Sequence, residues 1–250
     1  MALIDHYISQ ISKDTSVDKM GGTHSCFLFP QYALLKGVYI KDCLDVLIQK
    51  TKDLKEQGVS VVPTIEYKID KTHPDFPNMF RGYVLQRKAK GTELYSGSYA
   101  KQSPEEYINR IDELSKQPQK FFDKYVSDWM KICQSGLQID PSKSANFFYS
   151  ADEISFIDLS VSRDSKSLEN AFFESTTVLF NGGAYYKHQN KEKHKIILNK
   201  MTNAFVSQGE SIEKINRIVE DKWPEIAPAS QRNINQEKLM AEESADRDAW

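Results

Sequence analysis

The chain has 250 residues, of which 40% are apolar and 27% charged, and its formal net charge is -2. This length and composition predict a substantial core, arranged as one domain of two unequal lobes or as two small domains. The near-neutral charge does not favour a surface dedicated to nucleic acid, and no apolar run approaches the roughly 18 residues that span a bilayer. We therefore expect neither nucleic-acid binding nor a membrane span.

The N-terminal residues and the cysteines bear on the compartment. Residues 1–6 lack the basic region and apolar run that mark a secretory signal, so we expect a cytoplasmic protein or one exported by a pathway that leaves no cleavable signal. Cys26, Cys43 and Cys133 have unrelated spacings and form no CxxC pair. This pattern predicts reduced packing residues, and neither a disulfide framework nor a zinc site.

The first part of the chain predicts strands around one helix. Residues 41–57 have helical character and end at Gly58, in the position favoured for a helix C-cap. Pro30 is predicted in the turn of a hairpin, and residues 88–97 are predicted to be irregular. Runs rich in apolar, β-branched and aromatic residues predict the strands, at residues 25–29, 32–36, 59–67 and 82–86.

From Ser103 onward the pattern becomes largely helical. Residues 103–106 provide an N-cap serine, a proline at the first helical position and acids in the first turn. Residues 119–136 predict an amphipathic helix with polar residues such as Asp128 on the face away from a core. Further helices are predicted at about 167–180, 191–208 and 210–222. One half of the 119–136 helical wheel is apolar, with Phe121, Phe122, Tyr125, Val126, Trp129, Met130, Ile132 and Cys133.

The segment after this helix is the most informative part of the sequence. Residues 146–157 predict a β-hairpin with its turn at 150–153. Asp140 precedes the hairpin, Asn146 begins it and Asp158 follows it, so its two strands should bring the three side chains close together. A carboxylate at the end of a buried strand costs several kcal/mol unless a cation offsets it. The pattern therefore indicates a metal site near Asp158.

Each candidate residue also has an ordinary structural interpretation. Asp158 would serve as an N-cap, Asp140 as a turn aspartate before Pro141, and Asn146 as a turn asparagine. Lys36 closes an apolar strand, where alternation would let it project into a cleft, but a solvated lysine fits the same pattern. The residues alone leave these alternatives open.

Taken together, the order of these residues resembles the protein-kinase-like superfamily, including aminoglycoside-phosphotransferase-like and small bacterial effector kinases. The resemblance spans roughly residues 19–160. It implies an α+β, two-lobed fold with a small antiparallel-sheet N-lobe at 1–88 and a mostly helical C-lobe at 89–227. Residues 228–250 are polar and are expected to form a disordered tail or a lone surface helix.

The resemblance also implies roles for individual residues in binding ATP and Mg²⁺. Lys36, in Ala33-Leu34-Leu35-Lys36, would contact the α- and β-phosphates. Asp140 would be the base that orients the acceptor hydroxyl, while Asn146 and Asp158 would hold Mg²⁺.

Other residues would contact the rest of the nucleotide. Gly21 and Gly22 are the candidates for a phosphate-covering loop, although the full G-x-G-x-x-G spacing is missing. Leu85 would lie near the gatekeeper position, and the backbone of Gln86, Arg87 and Lys88 would meet adenine.

The chain departs from the family pattern at several points. Asp140 and Asn146 are six residues apart where the usual spacing is five, and Ile139 replaces the usual arginine. Leu159-Ser160 replaces the usual Phe-Gly, and no Ala-Pro-Glu sequence follows. These departures argue against regulation through an arginine that binds a phosphorylated loop, and against a standard peptide-binding platform.

The function implied is an ATP- and Mg²⁺-dependent kinase that transfers the terminal phosphoryl group to a hydroxyl of a protein or small-molecule acceptor. One alternative is a pseudokinase-like nucleotide-binding or protein-interaction module. It is favoured by the incomplete glycine loop and by the helix predicted at 41–57, whose apolar arc holds no acid to pair with Lys36. This arc consists of Cys43, Leu44, Val46, Leu47, Ile48 and Leu54. The other alternative is transfer of AMP on the same fold. The acceptor itself cannot be derived, because its contacts would lie in the divergent segment after Asp158.

Overall fold

The computed structural model describes residues 2–11, 17–18, 25–95, 103–142, 146–162, 167–181 and 190–226. The helices within these residues are α1 (Leu3–Ser9), α2 (Lys41–Glu56), α3 (Pro104–Lys116), α4 (Gln119–Gln134), α5 (Leu168–Leu179), α6 (Lys191–Ser207) and α7 (Ile212–Lys222). The strands are β1 (Val17–Asp18), β2 (Ser25–Leu28), β3 (Tyr32–Ile40), β4 (Thr64–Thr72), β5 (Met79–Arg87), β6 (Thr92–Glu93), β7 (Leu137–Gln138), β8 (Phe147–Tyr149), β9 (Ile154–Phe156) and β10 (Ser160–Val161). Among the described helices, none is both long and apolar enough to cross a membrane.

The chain divides into two compact units. The sheet unit comprises Met1–Gln102 and Ser127–Ser167, and the helical unit comprises Ser103–Val126 and Leu168–Trp250. This division differs from the lobes predicted at 1–88 and 89–227. The hairpin of β8 and β9 belongs to the sheet unit because β8 pairs with β6 and β9 pairs with a segment that precedes β4.

The sheet unit contains a five-stranded antiparallel sheet in the order β1-β2-β3-β5-β4. The predicted turn at Pro30 lies between β2 and β3, where the Phe29 N–H donates to the Tyr32 carbonyl at 2.9 Å. Strand β3 is longer than predicted, because its register with β5 continues to the pair Ile40 and Met79. Lys36 therefore lies in the middle of β3 and does not close it.

Each face of this sheet packs against one helix. The α1 face carries a cluster of Ile4, Phe27, Tyr32, Leu34 and Leu85. The α2 face carries Leu44, Phe80 and Val84, with Leu35, Tyr39, Leu47 and Tyr67 packed around them. Because side chains alternate along a strand, Leu34 and Leu35 lie on opposite faces of β3.

Helix α2 has nearly the predicted bounds but packs through a narrower stripe. Leu44, Thr51 and Leu54 are its buried residues, and Leu47 also packs on the α2 face. Cys43 and Val46 were predicted to pack as well, and this was wrong, since both are exposed. The predicted C-cap is confirmed: Gly58 follows the helix with a φ of 77°, a left-handed conformation that glycine adopts without penalty.

The predicted strand at 59–67 is shifted in the structure. Strand β4 begins at Thr64, whereas Val61 forms a parallel bridge with Phe156 of β9. Pro63 separates the two pairings because it has no N–H to donate to a ladder. The segment before β4 thereby joins the sheet to the hairpin within one unit.

The helical unit consists of helices within its described residues, as the sequence predicts. Ser103 Oγ accepts a hydrogen bond from the Glu106 N–H at 3.1 Å, with Pro104 in the first turn, so the predicted helix start is confirmed. The three later helices, α5 to α7, also begin and end within about two residues of the predicted bounds. The tail at 228–250 lies outside the described residues.

Candidate functional site

An aromatic cluster fixes the hairpin of β8 and β9. Phe147 of β8 stacks on Trp129 of α4 with ring centroids 6.1 Å apart, and Phe156 of β9 meets Phe147 edge-on at 5.8 Å. All three side chains have 0% exposure. Such dense packing leaves little freedom, so whatever follows or precedes these two strands is held in a defined position.

The hairpin brings Asn146 next to Asp158. Phe147 pairs with Phe156, so Asn146 and Ile157 are the next residues on the two strands. The Ile157 N–H donates to the Asn146 carbonyl at 2.9 Å, and Asp158 follows directly. The prediction that these two strands would bring Asn146 and Asp158 close together is confirmed.

A second ladder brings in Asp140. Strands β7 and β10 are antiparallel, with Gln138 opposite Ser160. Asp140 lies two residues after Gln138, and Asp158 lies two residues before Ser160, so both residues leave the same end of the ladder. Asp140 and Asp158 thus leave the ladder of β7 and β10 at the same end, whereas the sequence interpretation expected the hairpin itself to bring Asp140 to the other two residues. Residues 143–145 lie outside the described part of the chain.

The side-chain amide of Asn146 is buried without a partner. Asn146 has 5% exposure, and its Nδ2 atom has no hydrogen-bond partner among the described residues. A buried polar atom without a partner costs about 1–3 kcal/mol, and such atoms are rare in proteins. Amide nitrogen and oxygen are told apart only by their partners, so the amide of Asn146 is equally able to present its oxygen there. It is suited to contact a bound group.

Asp158 has an exposed carboxylate on a strained backbone, so the burial cost from which the sequence pattern indicated a metal does not arise. Its φ is 52°, in the left-handed region that residues other than glycine seldom adopt. Strain of this kind is concentrated at functional sites. Burial, reinforced by the nearby negative charge of Asp158 and by Cys26, raises the pKa of Tyr39 on the α2 face.

Asp140 participates in a local turn. Its Oδ1 atom accepts hydrogen bonds from the Ser142 N–H at 3.0 Å and from Ser142 Oγ at 2.6 Å. This arrangement agrees with the interpretation of Asp140 as a turn aspartate. It also fixes the direction of the carboxylate, which a group acting on a substrate hydroxyl requires.

Lys36 lies on the α1 face of the sheet, beside Tyr83. Its cross-strand partner is Tyr83, and Lys36 Nζ lies 5.2 Å from the centroid of the Tyr83 ring. Lys36 is two residues from Leu34 and therefore shares the α1 face with it. Tyr39, three residues further on, lies on the α2 face. Lys36 therefore lies on the face of β3 opposite to Tyr39.

No acid of α2 pairs with Lys36 among the described residues. Asp42 accepts a hydrogen bond from Asn78, and Asp45 accepts one from the Tyr67 hydroxyl. The inward-facing charged residue of α2 is a lysine, since Lys50 Nζ donates to the carbonyl of Ser135 just after α4. Helix α2 is therefore anchored to the chain that leads into Asp140, but by a cation.

The predicted adenine-binding backbone is already hydrogen-bonded within the protein. The Arg87 N–H donates to the Pro63 carbonyl at 3.2 Å, and the Lys88 N–H donates to the Gln31 carbonyl at 2.9 Å. A base that used these donors would have to break both bonds. The N–H groups of Arg87 and Lys88 are therefore not free to donate to adenine.

Of the other residues predicted to contact the nucleotide, Leu85 and Gln86 have partners within the protein. Leu85 has 0% exposure and belongs to the α1-face cluster. Gln86 donates through Nε2 to Thr64 Oγ1 at 3.2 Å. Gly21 and Gly22 lie outside the described residues.

Asp128 is a site residue that the sequence interpretation missed. The sequence predicts it on the polar face of α4, but it has 3% exposure and its Oδ2 atom accepts a hydrogen bond from the Ser60 N–H at 2.9 Å. Ser60 Oγ donates to Glu153 in the hairpin turn, and the Ser60 carbonyl accepts from the Phe156 N–H at 2.8 Å. Asp128 thus fixes the segment that supports β9. Nothing on the helical wheel distinguishes it from a solvated acid.

Replacement of Asp128 should show this role. We expect Asp128→Ala to lower the free energy of unfolding by about 2–3 kcal/mol, because it leaves the buried Ser60 N–H without an acceptor. Asp128→Asn keeps an acceptor oxygen and should cost clearly less. Urea denaturation of the two variants checks this, and equal losses would contradict the assigned hydrogen bond.

The described residues contain no group of three or more His, Cys, Asp or Glu side chains placed to hold a metal ion. At the ends of the two ladders the possible donors are instead two carboxylates, of Asp140 and Asp158, and the side-chain amide of Asn146. Oxygen donors of this kind suit Mg²⁺, which is bound by few protein ligands and keeps several waters.

Comparison with known proteins adds little support for a function beyond what the site residues provide. No family model matches the chain, and no curated protein matches it. Among solved structures, the chain is similar to a choline/ethanolamine kinase family protein from Mesorhizobium loti, with 13% sequence identity, a TM-score of 0.42, and coverage of 87% of this chain and 81% of that chain. A similarity of this size is too weak to argue from, so the functional inference depends on the site.

Proposed function

We propose that this chain is a phosphotransferase of the protein-kinase-like type, which transfers the terminal phosphoryl group of ATP to a hydroxyl of a protein or small-molecule acceptor. The observation that carries the proposal is the grouping of Asp140, Asn146 and Asp158 by two antiparallel ladders. Phosphoryl transfer needs carboxylate and amide oxygens for the metal and a carboxylate for the acceptor.

The residues present fit Mg²⁺. Asn146 offers a buried amide without a partner among the described residues, and Asp158 offers an exposed carboxylate on a strained backbone. These two residues would hold the metal. When bound with ATP, Mg²⁺ offsets the negative charge of the phosphate oxygens.

Asp140 is the residue proposed to act on the acceptor. Its Oδ1 atom is oriented by Ser142, which limits the rotation of the carboxylate. A carboxylate so held accepts a hydrogen bond from an acceptor hydroxyl and orients its oxygen. It would take the proton as that oxygen bonds to the γ-phosphorus and the bond from the γ-phosphorus to the bridging oxygen of ADP breaks.

The proposal concerns the phosphate end of the nucleotide and not the base. The N–H groups of Arg87 and Lys88 donate within the protein, so an adenine contact at 86–88 gains no support. The role of Lys36 at the phosphates stays a prediction of the family resemblance.

The second candidate function is a pseudokinase-like module that acts through protein contacts. It is favoured by one observation, the position of Lys36 over the Tyr83 ring on the face of β3 opposite to Tyr39. A scaffold without a cation at the phosphates would bind nucleotide weakly and would not transfer it.

Labelled ATP distinguishes these functions. Purified protein is incubated with Mg²⁺ and ATP labelled either at the γ-phosphate or in the adenosine moiety, and the label on protein and in solution is measured. The proposal expects transfer or release of the γ-phosphate. Label from adenosine on the protein would instead indicate AMP transfer, and no turnover of either label would favour the pseudokinase-like module.

Lys36→Met tests the cation that the resemblance assigns to the phosphates. Methionine keeps much of the stem against Tyr83, so the variant should stay folded. If Lys36 reaches the phosphates as the resemblance implies, transfer should fall by about 100-fold or more because the triphosphate is no longer aligned. Lys71→Met, at an exposed position of β4, is the matched control and should keep full activity. Full activity of folded Lys36→Met would remove Lys36 from the site.

A further inference from the structure

The sheet unit contains a pocket away from Asp140, Asn146 and Asp158. Its volume is about 620 Å³, within the range of sites that bind ligands or peptide side chains. Four segments line it: the C-terminal half of α2, residues 61–65, residues 87–90, and the hairpin at Glu153 and Ser155. We call it the basic pocket, because lysines from two of these segments surround it.

The floor of the basic pocket is apolar and rigid. Val61 has 2% exposure, and Val62, Pro63 and Ile65 are half-buried beside it. The Val62 N–H donates to the Phe156 carbonyl at 3.0 Å, so this segment is held against β9. A floor fixed in this way is preformed, which lowers the entropic cost of binding.

The rim of the basic pocket is positively charged. Lys52 and Lys55 come from α2, and Lys88 and Lys90 come from the chain that follows β5. All four are exposed, and within the described part of the chain none of them forms an ion pair. The acids of the lining are Glu56 and Glu153, and the latter already accepts a hydrogen bond from Ser60. The charges of the four lysines are thus only partly balanced.

The kind of cation favours carboxylates spread along a chain over a single phosphate. Arg87 also lines the pocket, but its guanidinium lies over the Tyr32 ring, 5.0 Å from the ring centroid. The four lysines carry point charges on flexible stems, whereas compact phosphates are typically held by arginine forks or by helix N-termini. The end of α2 at this pocket is its C-terminus, whose dipole is negative and disfavours a concentrated anion. Lysines from two separate segments instead match acidic side chains at intervals along a peptide.

We propose that the basic pocket is a docking site for an acidic segment of a partner protein. One apolar side chain of the segment lies on the floor formed by Val61, Val62 and Pro63, and the flanking carboxylates meet the lysines of the rim. The inference goes beyond phosphoryl transfer, because no residue of the basic pocket belongs to the group around Asp158 and the N–H groups of Arg87 and Lys88, predicted to meet adenine, already donate within the protein.

Fluorescence anisotropy of a labelled model peptide tests this docking. The probe is a fluorescein-labelled peptide with one leucine flanked on both sides by runs of glutamate, and the full chain is titrated into it at low salt. We expect Lys52→Glu with Lys88→Glu to weaken binding by about 10-fold or more, since two attractive contacts become repulsive. Lys41→Glu with Lys71→Glu, at exposed positions outside the pocket, makes the same charge change and should alter binding less than about 2-fold.

Two altered peptides and two competitors complete the test. Replacing the leucine by glutamine, or the glutamates by glutamine, should each reduce binding markedly, because the floor and the rim act on different parts of the segment. Absent binding, or equal weakening by both double variants, would overturn the proposal. So would stronger competition by a single-stranded oligonucleotide or by anionic phospholipid vesicles than by unlabelled peptide, since the surface would then bind polyanions in general. Thermal melting of each variant verifies that it is folded.

Discussion

Asp158→Asn is expected to abolish phosphoryl transfer and to remove most of the Mg²⁺-dependent rise in melting temperature that ATP produces. The amide cannot supply the negative charge that attracts the metal, and we expect transfer to fall by about 100-fold or more. Asparagine is the informative replacement because it tolerates the left-handed backbone that the φ of 52° requires. The fold and its strain are kept while the charge is removed.

Asp140→Asn is the companion variant that separates acceptor chemistry from nucleotide binding. Its amide oxygen can still accept the hydrogen bonds from Ser142, so the turn should persist. We expect transfer to be lost while the ATP-dependent rise in melting temperature stays nearly intact. An unchanged melting response in Asp158→Asn would contradict the metal role. Equal loss of nucleotide binding in Asp140→Asn would make Asp140 a structural turn residue.

Lowering the pH from 7.5 to 5 is expected to reduce the free energy of unfolding by about 2 kcal/mol through His194 alone. His194 lies in the first turn of α6 with 0% exposure. Its Nδ1 lies 2.6 Å from the Asn190 carbonyl, and its Nε2 lies 2.6 Å from the Tyr107 hydroxyl. The neutral ring satisfies both contacts if Nδ1 carries the proton and Nε2 accepts from Tyr107.

Burial lowers the pKa of His194 from 6.5 to about 4, although the hydrogen bond to Asn190 and the charge of Glu225 act in the opposite direction. The unfolded chain therefore binds a proton between these two pH values when the folded chain does not. The contribution of neutral His194 to the free energy of unfolding is fully present above pH 6.5 and is lost as the pH falls toward 4.

Urea denaturation at pH 7.5 and at pH 5 measures this loss. The matched variant is His194→Asn, which keeps an N–H donor near the Asn190 carbonyl and cannot titrate. Between pH 7.5 and pH 5, the free energy of unfolding of this variant should fall by about 2 kcal/mol less than that of the unmodified protein. Identical pH dependence in the two proteins would show that His194 is protonated in the folded state, or is not buried.

Local rules in the sequence were sufficient for most of the secondary structure. Ser103 and Gly58 mark a helix start and a helix end through hydrogen bonds and dihedral angles that involve only neighbouring residues. The hairpin at 146–157 follows from two short apolar runs and a polar turn. The meeting of Asn146 with Asp158 was predictable because it is a consequence of that one hairpin.

Where a pattern depended on partners distant in the chain, the sequence interpretation was incomplete. The apolar run at 59–67 reads as one strand, but Pro63 divides it and its first part pairs with Phe156, about 95 residues further on. Cys43 and Val46 fit an apolar helical arc, yet no element of the described chain covers them. Burial depends on which surfaces meet, which helical periodicity does not specify.

The tertiary structure alone decided the state of Lys36, Asp128 and the backbone at Arg87. Strand alternation makes Lys36 lie on one of two faces, but only the packing of α1 and α2 assigns those faces. Asp128 is buried because the Ser60 N–H is brought to it from 68 residues away. The Arg87 N–H is occupied because the Pro63 carbonyl lies beside it. The sequence determines which groups each residue offers, whereas the availability of those groups for a ligand depends on long-range hydrogen bonds that form only when the chain has folded.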